Sequence, residues 1–244
     1  MIPDLPDNTN ALVLSYFGIR RAIGLIGAVL PVVLGPVGWL LGIEIQDNIS
    51  SYYHTGMRNV FVGAMCAIGG FLFCYRGADR IETLSARFGC ISALGVALFP
   101  LDANSDPLLQ KTLTGYLHSL SGGAFFLTLA IYSLYHFPRS TEKRSEHEPH
   151  PWERLFIYRA SGVVIVLSML AMGTFLALLP GRWKAELNDY HFLFWMEWIA
   201  IWAFAGAWLT KGRAMVADIA VELLSIPREA LADRLPNLRR AKER

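Results

Sequence analysis

Six apolar runs, at roughly 22–43, 59–75, 84–101, 113–137, 156–180 and 191–210, constrain this chain more than anything else in it. A hydrocarbon core about 30 Å thick needs about 20 helical residues to cross it, and most of the runs reach that length or come close. No water inside a bilayer can satisfy an open backbone, so runs of this kind cross as helices. Composition agrees: 54% of the 244 residues are hydrophobic and 17% are charged, where ordinary globular domains carry about a quarter charged. The expectation is an all-α, polytopic membrane helix bundle of about six transmembrane helices over 1–210. A cytoplasmic amphipathic helix and basic tail are expected over 211–244.

Charge placement orients the bundle. Eighteen Lys and Arg fall on one side, including Arg20, Arg21, Arg76, Arg80, Arg87, Arg139 and everything after 210. Only Arg58, Lys111, Arg182 and Lys184 fall on the other. Such a bias places both termini in the cytoplasm and requires an even number of spans. The first run reads as a retained span rather than a cleaved signal. Arg20 and Arg21 flank it and Pro31 and Pro36 interrupt it, with no A-x-A site. Cys66, Cys74 and Cys90 all fall inside apolar runs with no C-x-x-C spacing, and read as small buried residues rather than disulfides or a zinc knuckle.

The connectors at the basic side look structural. "PRSTEKRSEHEPHPWER" (138–154) reads as a solvated linker in spite of His147 and His150. In the tail, Met215, Ile219, Leu223 and Ile226 form one apolar face up to Pro227, as in a helix lying on the inner leaflet beside anionic headgroups. Gly38-x-x-x-Gly42, and Gly63, Gly69 and Gly70 in the second run, are expected at close helix contacts.

Polar residues converge on the opposite side. Counted from the cytoplasmic anchors, His54 lies roughly 33 Å from Arg76, His118 roughly 32 Å from Arg139, and His191 roughly 30 Å from Lys211. Three histidines on three helices thus reach one level. Asp102 and Glu197, each roughly 21–22 Å from its anchor, form a second and deeper layer. The second run is short, so the helix is expected to extend outward, with Asp47, Ser50 or Ser51, His54 and Arg58 on one face and Glu44 nearby. Charged side chains at membrane depth normally face the interior, paired or solvated. Glu197, in "FWMEWIAIW", is the clearest case.

Three histidines with two carboxylates fit zinc, which takes imidazole and carboxylate ligands and keeps an open position for water when catalytic. Bound zinc brings its water to a pKa near 7, and a neighbouring carboxylate can take the proton. The expected set is His54, His118 and His191 as ligands and Asp102, Ser50 and Glu197 as catalytic groups, with Glu44, Asp47 and Arg58 lining the pocket. Zinc-dependent hydrolysis of a lipid or amphiphile ester or amide is the leading expectation.

Ser50-x-x-x-His54 and Asp102, each at the edge of a run, resemble two signatures of the CREST membrane hydrolases, the superfamily of alkaline ceramidases and progestin/adiponectin receptors. The resemblance implies a seven-helix bundle holding zinc on three histidines, with a serine and an aspartate beside it. Its third signature, a His-x-x-x-His pair on the last helix, is absent. The matching place holds His191 and Trp195, with Glu197 two residues on, and the helix count is one short. More broadly, "ISSYYHTGMRNVFVG" with "FLFCYRGADRIE" resembles a group of uncharacterised bacterial multi-spanning proteins, which implies a bacterial inner membrane.

Two other readings use the same residues. A proton- or ligand-responsive sensor, or a small transporter, would use buried Glu and His as a relay, although no internal repeat or paired broken helices are visible. A b-type haem between His54 and His118 would use two histidines and leave Asp102 and Glu197 idle. There is no G-x-S-x-G elbow and no glycine-rich phosphate loop. The basic residues track the membrane face, which argues against nucleic acid as a partner.

Overall fold

A computed structural model describes residues 18, 21–103, 108–142 and 151–224, which are helical and contain no strand. The helices are α1 (Arg21–Leu40), α2 (Arg58–Cys74), α3 (Arg80–Leu98), α4 (Leu113–Glu142), α5 (Pro151–Ala177), α6 (Gly181–Asp189) and α7 (Phe192–Leu224). Among the described residues, α1, α3, α4, α5 and the Phe192–Gly212 part of α7 are long and apolar enough to cross a membrane. The 17-residue α2 is shorter, about 26 Å end to end, and packs along α3. α3 also packs on α4, and α5 on α7.

Large aromatics such as Tyr52, Phe61, Tyr132, Phe194 and Trp208 fill the interior. Trp39, Leu40, Phe73, Ile91 and Leu120 stand outward, the distribution of a bundle whose outer solvent is lipid. Between α3 and α4 the backbones come so close that a Cβ added at Gly95 would collide with the Ser121 side chain.

Several local expectations are corrected. Gly38-x-x-x-Gly42 is a helix end: Gly42 adopts φ +83, its N–H donates to Trp39 O, and Ile43 N–H donates to Gly38 O. This Schellman arrangement stops α1. Pro36 sits in a π-turn, Val33–Val37, which absorbs its missing N–H. Of the cysteines, only Cys90 is buried, whereas Cys74 is exposed at the end of α2. The second run does not extend outward as α-helix. Residues Ile49–His54 form a separate 3-10 turn, Thr55 is extended, and α2 starts at Arg58. Ser50 and His54 therefore do not share a helical face with Arg58. The cause is Asn48, whose side chain accepts the Ser51 N–H and starts a turn too tight to run on.

α7 continues as helix through the 210/211 boundary to Leu224. The rest of the expected basic tail, with Ile226 and Pro227, and the linker histidines His147 and His150 lie outside the described residues.

Candidate functional site

The segment after α1 folds back into the end of the bundle away from Arg76 and Arg139. Two long-range hydrogen bonds hold it against α7. Phe194 N–H donates to Asp47 O at 2.9 Å, and Ile49 N–H donates to Glu197 Oε2 at 2.7 Å. Glu197 thus supplies an acceptor to the first free amide of the 3-10 turn, while Asn48 supplies one to Ser51. A carboxylate on an apolar helix has here a definite backbone partner.

This tucked segment separates two cavities. The inner chamber, of 240 Å³, is mostly apolar, with Met65, Phe125 and Met172 among its walls and Ser50, His118 and Glu197 as polar points. The outer vestibule, of 520 Å³, is polar and is lined by Glu44, Asp47, His54, Lys184, Asn188 and His191. Asn48, Leu176 and Leu193 line both.

His54 and His118 are brought onto one short stretch of chain. His54 Nε2 lies 2.6 Å from Leu101 O, and His118 Nδ1 lies 2.7 Å from Phe99 O. A carbonyl only accepts, so both ring nitrogens donate. The lone pairs then belong to His54 Nδ1 and His118 Nε2. The two rings serve different cavities, however, with His54 in the vestibule and the buried His118 in the chamber.

His191 joins the vestibule as the residue that turns α6 into α7, at φ +53, a left-handed conformation uncommon outside glycine. Its Nδ1 stands 3.6 Å from Asp47 Oδ1, an ion pair only when the ring is protonated.

Other expected residues go elsewhere. Asp102 binds the turn into α4. It accepts the N–H of Lys111 at 2.6 Å, the N–H of Thr112 at 3.0 Å and the Thr112 hydroxyl. These bonds, the hydroxyl's first, hold its carboxyl below its ordinary pKa. Arg58 lies over the Tyr53 ring at 4.2 Å and donates to its hydroxyl. Neither Asp102 nor Arg58 lines either cavity.

A zinc centre needs three ligands on one point, and the donors do not assemble in that way. Among the described residues no group of three His, Cys, Asp or Glu could hold a metal ion. His118 shares its chamber with Glu197, while His54 and His191 share theirs with Asp47 and Glu44.

Three residues of the site were passed over in the sequence. Asn48 is 3% exposed, caps the turn and borders both cavities. Its signal was Asn-x-x-Ser, a capping spacing, before "ISSYYH". Lys184 and Asn188 share a face of α6, one turn apart, in a stretch that reads as a loop.

At the basic end a second polar knot holds α2, α3 and α4 together. Buried Glu82 accepts from Tyr75 Oη at 2.5 Å and from Ala78 N–H at 2.8 Å, and its carbonyl accepts from Tyr132 Oη at 2.8 Å. His136 lies 2.9 Å from Ser85 Oγ. "DRIE" carried the signal, because Asp79 and Glu82 have capping-box spacing, and Asp79 indeed accepts the Glu82 N–H.

No family model, curated protein or solved structure matches this chain.

Proposed function

We infer that this chain is a membrane protein that binds one amphiphile, with the polar head in the vestibule and the apolar chain in the inner chamber. One observation carries the reading: a polar cavity and an apolar cavity abut along the same wall, Asn48, Leu176 and Leu193. Ligand sites combine apolar walls with a few convergent polar groups. Here Ser50, His118 and Glu197 are those groups in the chamber. An apolar cavity of about 150 Å³ accepts benzene, so 240 Å³ takes a longer alkyl segment. The eighteen-to-four charge bias supports an orientation with both termini inside, and the resemblance to bacterial multi-spanning proteins points to an inner membrane.

Such a protein serves as a ligand-responsive sensor or a small transporter. The test is amphiphile binding to the full chain in detergent, read by native mass spectrometry with lysophospholipids and long-chain amines. Gly173 lines the chamber, and a Cβ there meets nothing within 4 Å. Gly173→Leu therefore fills the chamber without a clash at its own backbone, and binding should fall about tenfold or more. Unchanged binding in that variant would overturn the reading.

A zinc-dependent hydrolase acting on the same amphiphile is a second reading, favoured by one observation. His54 and His118 each give an N–H to a carbonyl, as metal-binding imidazoles usually do. This reading requires His54, His118 and a third ligand to converge from the two cavities. Elemental analysis of protein purified without chelators decides it: about one zinc per chain, lost in both His54→Ala and His118→Ala, supports it. Metal-free wild type removes it.

A further inference from the structure

The basic end of the bundle has a groove of its own, remote from both cavities. The end of α2 and the start of α3 enclose 800 Å³ lined by Arg76, Arg80 and Arg87, with Phe73, Leu84 and Asp79. Asp79 is the one acid in that lining, and its charge is already met. One oxygen accepts the Glu82 N–H at 2.8 Å and the other lies 3.5 Å from Arg139.

Where Arg80 and Arg87 stand on α3 matters more than the number of arginines. Arg80, Leu84, Arg87 and Ile91 follow at i, i+4, i+7 and i+11, which is one stripe of a helix. Leu84 is 68% exposed and Ile91 is 70% exposed, whereas Glu82 and Ala86 on the other face are buried. The stripe therefore faces lipid.

Arg87 lies about 10 Å further along α3 than Arg80. On a 19-residue span this is more than a third of the way across. An arginine at that depth on a lipid face must carry its guanidinium back to the interface and find an anion. Helical side chains lean toward the N-terminus, so Arg87 reaches back toward Arg80 and into the groove it helps to line. Guanidinium binds phosphate oxygens in pairs and more firmly than a single point charge does.

We propose that this groove binds one anionic phospholipid, its phosphate between Arg87 and Arg80 with Arg76 alongside, and its chains along Leu84, Phe73 and Ile91. The apolar walls choose a lipid over free phosphate, because a soluble anion would leave them uncovered.

The test is native mass spectrometry of the full chain in detergent, titrated with phosphatidylglycerol, phosphatidylcholine or inorganic phosphate. One phosphatidylglycerol should bind per chain, about tenfold more tightly than phosphatidylcholine. The variant Arg80→Gln/Arg87→Gln should lose about tenfold of that affinity while melting, in lipid-free detergent, with wild type. Gly173→Leu, at the opposite end, should leave it unchanged, which separates this site from the amphiphile chamber. Equal affinity in the double variant, or equal binding of the two lipids, overturns the proposal. Displacement by millimolar inorganic phosphate assigns the groove to a free anion and also overturns it. Should the double variant misfold, Arg87→Lys keeps the charge and loses the paired contact, and unchanged affinity there is equally fatal.

Discussion

Replacing Glu197 with leucine tests what holds the wall between the two cavities. Glu197 Oε2 accepts the Ile49 N–H at 2.7 Å. Ile49 is 3% exposed, so its amide has no water to turn to. A hydrogen bond contributes about 0.5–1.5 kcal/mol net, and a buried amide left without an acceptor costs about 1–3 kcal/mol. Leucine removes the acceptor and keeps most of the volume. The expected loss is about 2 kcal/mol, which at this chain length lowers Tm by about 4–8 °C. Glutamine keeps an oxygen at the same reach, and its loss should stay within about 1 kcal/mol. Tryptophan fluorescence of the full chain during heating in one detergent measures both, and amide exchange at Ile49 localises the effect. Wild type, Gln and Leu should fall in that order. Equal losses in the two variants, or none in Leu, would refute the argument and return Glu197 to a purely chemical role.

Two further substitutions probe the frame around the site. Gly95→Ala puts a methyl against Ser121 and should cost about 1–3 kcal/mol in Tm measurements. Ser121→Gly should recover most of that loss, and additivity between the two would contradict the close approach of α3 and α4. Asp102→Asn tests the turn into α4. Because the folded pKa is depressed, the stabilisation is present above the ordinary value of 3.8 and is lost as pH falls through the lower folded value. The Tm gap between wild type and Asp102→Asn should therefore hold at neutral pH and close below about pH 3.8, and a gap unchanged at pH 2 would refute it.

The sequence revealed the spans because apolar length and flanking arginines are local properties. The run at 113–137 became Leu113–Glu142 and that at 84–101 became Arg80–Leu98. His54 and His118 meet the same stretch, Phe99–Leu101, although His54 stands on the 3-10 turn rather than on α2. Counting along helices says nothing about where a chain turns back. The periodicity that joined Ser50, His54 and Arg58 ignored the Asn48 cap, and so missed the break at Thr55. The partner of Glu197 is a backbone amide 148 residues away, which no local pattern reveals. Asp102 stands beside a membrane edge, and there its carboxylate accepts from Lys111 and Thr112 across the turn into α4, a pairing that needs the loop's path rather than a local spacing.

The partition around Asn48 is a single strand of chain that borders an apolar space on one side and a polar space on the other. On the amphiphile reading, head and tail press on opposite sides of the same peptide groups, so their binding energies will not add. A series of homologous ligands should show it. Lengthening the tail will change the apparent preference among heads, and the usual practice of optimising each end separately will fail for this protein.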